Sequence, residues 1–254
     1  MIKLSEIATT PPENASKKEF RKKTKKLVKR LGELQKMLFA QQEHSVLVVF
    51  QGMDASGKDG AARNVFKECH PSGVDVYSFK KPTEEEFAHD FLWRVHKRAP
   101  RKGMIQIFNR SHYEDVLIQR VHKWIDGETV DKRLQAINAF EELLSFDGST
   151  IILKFYLHLS FEQQAIELQQ RLDEKEKHWK HNANDWKERE HWDEYMRCYE
   201  DVFRRSNIPW HITPVDSRWY RDYVVSKTIV EALEKLNLEF PELTAVQKEI
   251  AIKK

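Results

Sequence analysis

The nine residues Gly52-Met-Asp-Ala-Ser-Gly57-Lys58-Asp59-Gly60 carry the spacing GxxxxGK, and the chemistry that needs this spacing is phosphate chemistry. Gly52, Gly57 and Gly60 permit backbone angles that a side chain would forbid. Successive N–H groups and the positive end of a following helix can then converge on phosphate oxygens. Lys58 would neutralise charge on a phosphoryl group in transfer. Asp59 stands where such loops usually place the Ser or Thr that reaches magnesium. Metal duty, for Mg²⁺ or Mn²⁺ in its place, then passes to Asp54 inside the loop, because a carboxylate is a good ligand for a hard cation. A tight strand-to-helix turn that merely contains glycine does not account for the full motif in that setting.

A second cluster lies in Phe108-Asn-Arg-Ser-His-Tyr-Glu-Asp115. Arg110 has the forked geometry to grip a phosphate. Glu114 and Asp115 can ligate magnesium or orient an attacking oxygen, with Asp115 the expected second metal ligand beside Asp54. Ser111 and Glu114 also have the spacing of a capping box at a helix start, a role compatible with the chemistry.

These groups need a scaffold that brings strand ends together. Short β-branched runs alternate with longer helical patterns, which predicts an α/β fold: a three-layer, doubly wound parallel sheet of about five strands, of the P-loop kinase type. The expected strands are 45–51, 73–79, 104–109, 150–157 and 210–215. The expected helices are 58–69, 84–97, a pair across 111–146 that meets near Asp126-Gly127, and a closing helix over 218–236. In such a sheet ligands lie beyond the carboxyl ends of the strands, so the segment after the third strand should face the phosphate loop. One domain spans 1–254, with 1–30 as an N-terminal basic segment. A long, polar, aromatic-rich helical stretch over 162–205 interrupts the alternation, and 161–190 within it is expected to form a helical lid. The tail after Pro241 reads as a loosely attached helix.

Composition narrows the class. With 40% hydrophobic and 33% charged residues the chain is globular with a heavily charged surface. A net charge of +3 does not argue for nucleic acid. The placement of the cations says more. Nine of the fourteen residues in 17–30 are Lys or Arg, either a solvated helix face or an arm that attracts polyanions. Lys80 and Lys81 follow the second strand, the run Arg94, Lys97, Arg98, Arg101 and Lys102 follows the next helix, and Lys175, Lys177 and Lys180 lie in the lid. Cations spaced in this way suit a flexible polyanion, although a helix C-terminus also favours them. Phe87, Asp90, Trp93 and Arg94 are the candidates to hold a nucleotide, with helical spacing making the aromatic residues core candidates too. His112 and His122 have no partner at metal-ligand spacing and read as structural. Cys69 and Cys198 lack CxxC spacing, which excludes a disulfide framework or a cysteine zinc site. No apolar run approaches the ~20 residues of a membrane span, and the first residues lack the order of a signal peptide. The expectation is a cytoplasmic protein without membrane or nucleic-acid partners.

Taken together, GMDASGKDG (52–60), PSGVDVYSFKKPTEEE (71–86), HDFLWRVH (89–96), FNRSHYEDVL (108–117), ILKFYLHLS (152–160), RLDEKEKHWK (171–180) and PWHITPVDSRWYR (209–221) resemble the polyphosphate kinase 2 family. The FNRSHYEDV form is similar to the subgroup that accepts nucleoside mono- and diphosphates. The resemblance implies reversible transfer of the terminal phosphoryl group of inorganic polyphosphate to AMP or ADP, with Mg²⁺. It assigns Asp54, Lys58, Arg110, Glu114 and Asp115 to catalysis. It places Arg171, Lys177 and Lys180 along the polyphosphate, where Lys81 after the second strand is expected to join them, and it implies a homodimer or homotetramer. His178 departs from the family pattern, where arginine is usual. Two other classes share parts of this pattern: an ATP-dependent nucleoside monophosphate kinase of the thymidylate kinase type, and a nucleotide-dependent switch that binds nucleic acid.

Overall fold

Residues 2–243 are described in the computed structural model, and the helix expected after Pro241 lies outside them. The first long element is α1 (Lys17–Gln41), capped by the Ser16 hydroxyl and closed by Gln42 in the left-handed conformation. Next come β1 (Ser45–Gln51), α2 (Lys58–Val65), β2 (Val74–Ser78), α3 (Glu84–Phe87), α4 (Trp93–His96), β3 (Ile105–Asn109), α5 (Ile118–Val121) and α6 (Gly127–Ser145). The chain continues through β4 (Thr150–His158), α7 (Phe161–Asp173), α8 (Ala183–Glu188), α9 (Trp192–Arg205), β5 (Trp210–Pro214) and α10 (Arg218–Glu234).

The five strands form one sheet in the order β2-β3-β1-β4-β5, and every pairing is parallel. β1 is central and buried along its whole length, as its near-continuous apolar run requires. Alternation along it feeds two cores. Leu47 and Val49 pack with Phe108, Phe140, Tyr156 and Tyr199 beneath α6 and α9. Val46, Val48 and Phe50 pack with Leu31, Val65, Phe155, Val225 and Ile229 beneath α1, α2 and α10. Helices on both faces make the three layers. The register pairs Phe50 with Asn109 and Gln51 with Tyr156, so the C-terminal ends of β1, β3 and β4 lie side by side.

Two helices are shorter than expected. The helix over 58–69 ends at Val65, because the chain must already turn for Pro71, which holds His70 in an extended conformation. The single helix over 84–97 is two short ones. A capping box between Thr83 and Glu86 starts α3. The Asp90 carboxylate then accepts from the Leu92 N–H at 2.9 Å, a local bond that competes with continued helix. The expected helix pair over 111–146 opens instead as a 3₁₀ turn (His112–Val116), and only α6 is long.

Candidate active site

The phosphate loop runs from Gly52 to the start of α2, where Gly57 adopts φ 85°. Arg221, nearly fully buried on α10, lies under this turn and donates to the Gly57 carbonyl at 3.1 Å. Its guanidinium leaves no room for a Cβ at Gly57 and little at Gly60. A side chain at Gly60 would press on the Arg221 guanidinium at 3.2 Å, so this glycine also eases the packing of α10 under the loop. Asp222 accepts from Arg221 at 2.7 Å and from Asn64 of α2 at 2.9 Å, which ties the loop, α2 and α10 together.

Lys58 is buried and turns back on its own loop. Its ammonium donates to the carbonyls of Gly52 at 2.8 Å and Met53 at 3.1 Å. Burial, with Arg110 as a second cause, lowers its pKa to about 8. A phosphate entering the loop would supply the charge that this lysine lacks.

Arg110 follows β3 directly, and its N–H bonds to the Phe50 carbonyl at 3.0 Å, which aligns the two strand ends. It holds φ 61°, an uncommon angle for a residue with a side chain. From that angle its guanidinium reaches the Asp54 carboxylate and lies 3.8 Å from Glu114. Gln51 donates to Glu114 at 2.9 Å, and Gln164 of α7 donates to the Asp54 carbonyl at 2.9 Å. A cavity of about 30 Å³ opens here, lined by Asp54, Arg110 and Glu114 from the sheet side and by Glu188, Tyr195 and Tyr199 from the insertion.

Asp54, Lys58, Arg110 and Glu114 are thus brought together, as expected from the sequence. Asp115 faces a different set. It lies 3.7 Å from Arg94 and accepts from Gln119 at 2.6 Å, and burial raises its pKa to about 6. Its Oδ2 is buried without a hydrogen-bond partner. Among the described residues no three His, Cys, Asp or Glu side chains form a metal cage. Magnesium does not need one, since it commonly binds one or two carboxylates together with substrate oxygens and water. The Asp54 carboxylate on the loop fits that habit; the Asp115 Oδ2 makes no hydrogen bond but is buried beside Arg94, which would have to release it to a metal.

Arg94 is buried; it donates to the Lys80 carbonyl at 2.8 Å and lies 3.5 Å from Glu86, so it braces the loop after β2. His89 stacks on Trp93 at 4.0 Å, and the Lys97 ammonium sits 3.2 Å from the centre of the same ring. Phe87 and Lys81 are exposed. In the insertion, Arg171 pairs with Asp185 at 2.5 Å, Lys177 with Glu174 at 2.8 Å, and Lys180 with Asp59 of the phosphate loop at 3.3 Å. The His178 ring lies 3.0 Å from the Leu172 carbonyl. His112 is fully buried against Glu141, a structural position, and His122 meets Glu188 of the cavity wall at 3.0 Å.

A parallel sheet whose central strand runs into a GxxxxGK loop, with an arginine from the neighbouring strand end turned over it, belongs to the P-loop phosphotransferases. More narrowly, the chain belongs to the polyphosphate kinase 2 (PPK2) family, whose profile matches residues 14–241. It is 47% identical over 229 residues to the AMP/ADP-polyphosphate phosphotransferase of Meiothermus ruber, covering 89% of this chain and 85% of that one. It is 40% identical over 248 residues to the ADP-polyphosphate phosphotransferase of Rhodopseudomonas palustris, covering 92% and 86%. The crystal structure of polyphosphate kinase 2 from Arthrobacter aurescens TC1 superposes with a TM-score of 0.93 at 36% identity, over 100% of this chain and 93% of that one.

Proposed function

We propose that this chain transfers the terminal phosphoryl group of inorganic polyphosphate to AMP and ADP, reversibly and by direct in-line attack. The observation that carries the proposal is the Lys58–Arg110–Asp54 constellation in a chain so similar to an AMP/ADP-polyphosphate phosphotransferase. Lys58 and Arg110 would stabilise the equatorial oxygens of a loose transition state. To do so, Lys58 exchanges loop carbonyls for phosphate oxygens and Arg110 gives up part of its hold on Asp54. Magnesium, or manganese, would be held by Asp54 and Asp115 and would neutralise charge on the reacting phosphates. Glu114, oriented by Gln51, would position the acceptor, which is already ionised and needs little help from a base.

The cavity of about 30 Å³ holds a water or two and no nucleotide. The segment 161–190 would swing away as a lid to admit substrate, and its return would exclude water. Arg171, Lys177 and Lys180 would then exchange their carboxylate partners for the polyphosphate chain, with Lys81 further along it, while Phe87, Asp90, Trp93 and Arg94 would border the nucleotide side. The working protein would be a cytoplasmic homodimer or homotetramer; no helix among the described residues is long and apolar enough to cross a membrane.

The test is a comparison of donors. Long-chain polyphosphate should phosphorylate AMP and ADP, and ATP should not replace it with AMP. No product from polyphosphate would overturn the proposal. An acid-labile phosphoprotein that forms and discharges at the turnover rate would overturn direct transfer.

A further inference from the structure

The first helix carries a cationic face that the fold itself does not use. At 3.6 residues per turn, Phe20, Thr24, Leu27, Val28 and Leu31 of α1 share one side. That side packs on α10: Phe20 lies 5.8, 5.5 and 4.7 Å from the rings of Trp219, Tyr220 and Tyr223, and Val28 and Leu31 are buried. The opposite side presents Lys18, Lys22, Lys25, Lys26 and Lys29, with Arg21 at its margin, all exposed, and Lys17 is exposed on the first turn of the packed side. Glu19, the one acidic residue in 17–30, lies on the other flank and pairs with Lys23 at 2.6 Å. Arg30, on that flank too, pairs with Glu33 and Glu234. None of the seven remaining cations has a carboxylate within ion-pair distance among the described residues. An ordinary solvated helix interleaves opposite charges at i,i+4, and like charges so placed destabilise it. A face that repels itself calls for an anionic ligand.

Its position indicates which one. The aromatic residues that hold Phe20 lie on the first turns of α10. From those same turns Arg221 reaches the Gly57 carbonyl at 3.1 Å, and Arg218 pairs with Glu167 of α7 at 2.5 Å. The start of α1 is therefore separated from the phosphate loop and the insertion by α10, about 10 Å across, and its cationic face lies on the far side of α1 from α10, within reach of a long chain. We propose that this face of α1 binds the distal part of a long inorganic polyphosphate chain whose reacting end lies over the phosphate loop. The proposal rests on the polyphosphate reading of the site. A polyanion anchored at one end meets nearby cations at high effective concentration, which favours the substrate's own chain over nucleic acid or an anionic membrane as the occupant.

A variant combining Lys18→Gln, Lys22→Gln, Lys25→Gln and Lys29→Gln tests it without touching the α10 contact or the site. With chains of hundreds of phosphates its KM should rise several-fold, and the salt dependence of that KM should become shallower. With linear tetrapolyphosphate, KM and kcat should match the wild type. An unchanged long-chain KM, or an equal rise with tetrapolyphosphate, overturns the proposal. Should the combined variant melt early, Lys18→Gln with Lys25→Gln gives the same comparison with a smaller expected shift. Cosedimentation of the wild type with phosphatidylglycerol vesicles, lost in the variant while the long-chain KM stays constant, would reassign the face to membranes; tight duplex DNA binding with that same pattern would reassign it to nucleic acid. Failure of the wild type to use polyphosphate of any length would instead contradict the proposed function itself.

Discussion

Lys58 must carry a positive charge in a place that disfavours one. Its pKa of about 8 in the folded chain lies below the ordinary 10.5, with burial as the main cause. The free enzyme should therefore lose kcat/KM as pH rises through about 8, when the ammonium gives up its proton. Bound phosphate restores that charge, so kcat should hold to higher pH; paired pH profiles of the two parameters check this. Stability moves the other way. Between about 8 and 10.5 the unfolded chain keeps a proton that the folded chain has released, so the contribution of this site to stability rises across that window. Arg110 permits a second separation of chemistry from folding. Its left-handed angle costs on the order of 1 kcal/mol, and its partly exposed pair with Asp54 returns a similar amount. Arg110→Gly should leave the melting temperature within a few degrees and lower the transfer rate about 10²-fold or more. Parallel losses in a thermal melt and an assay would contradict this. At this scale the sequence displayed Asp54, Lys58, Arg110 and Glu114 through type and spacing. Gln164 and Arg221 were hidden, because their roles come from contacts made 110 and 164 residues away. Gln51 left a faint signal, a polar residue closing an apolar strand.

The elements divide into a scaffold set by local pattern and an insertion held by long-range pairs. All five strands were legible to within a residue or two, since buried parallel strands write long apolar runs. The break between α3 and α4 was not, because a single side chain, Asp90, diverts the backbone there. The insertion meets the phosphate loop through Lys180 and Asp59, both well exposed, so that pair contributes under about 1 kcal/mol. Lys180→Ala should leave the melting temperature unchanged and raise KM for polyphosphate more than KM for the nucleotide. A rise confined to the nucleotide would place Lys180 elsewhere in the cycle. The basic character of this insertion was legible in its composition; the pairing of Arg171 with Asp185, by contrast, depends on how α7 and α8 fold back on one another.

Across the whole molecule, two apolar cores clamp the sheet, and one of them contains a buried charge pair. Lys154, at the middle of β4, donates to Glu141 of α6 at 2.6 Å and to the Tyr113 hydroxyl at 2.7 Å. Tyr113 donates to the same carboxylate at 2.9 Å, which anchors the turn that carries Glu114 and Asp115. Glu141→Ala would leave the Lys154 charge buried without compensation and should cost about 3–5 kcal/mol, measured by urea unfolding. A cost below about 1 kcal/mol would mean that water reaches the pair. Lys154 was visible as a lone cation in an apolar strand, whereas Glu141 was indistinguishable from the exposed charges of its helix. Transfer of phosphoryl groups from polyphosphate to nucleotides at the phosphate loop can be read by incubating wild type and Lys58→Ala with ADP, long-chain polyphosphate and Mg²⁺ and measuring ATP. ATP should accumulate with the wild type and fall about 10²-fold or more with the variant. No ATP from the wild type, or equal ATP from both, would rule out polyphosphate-driven transfer at this loop.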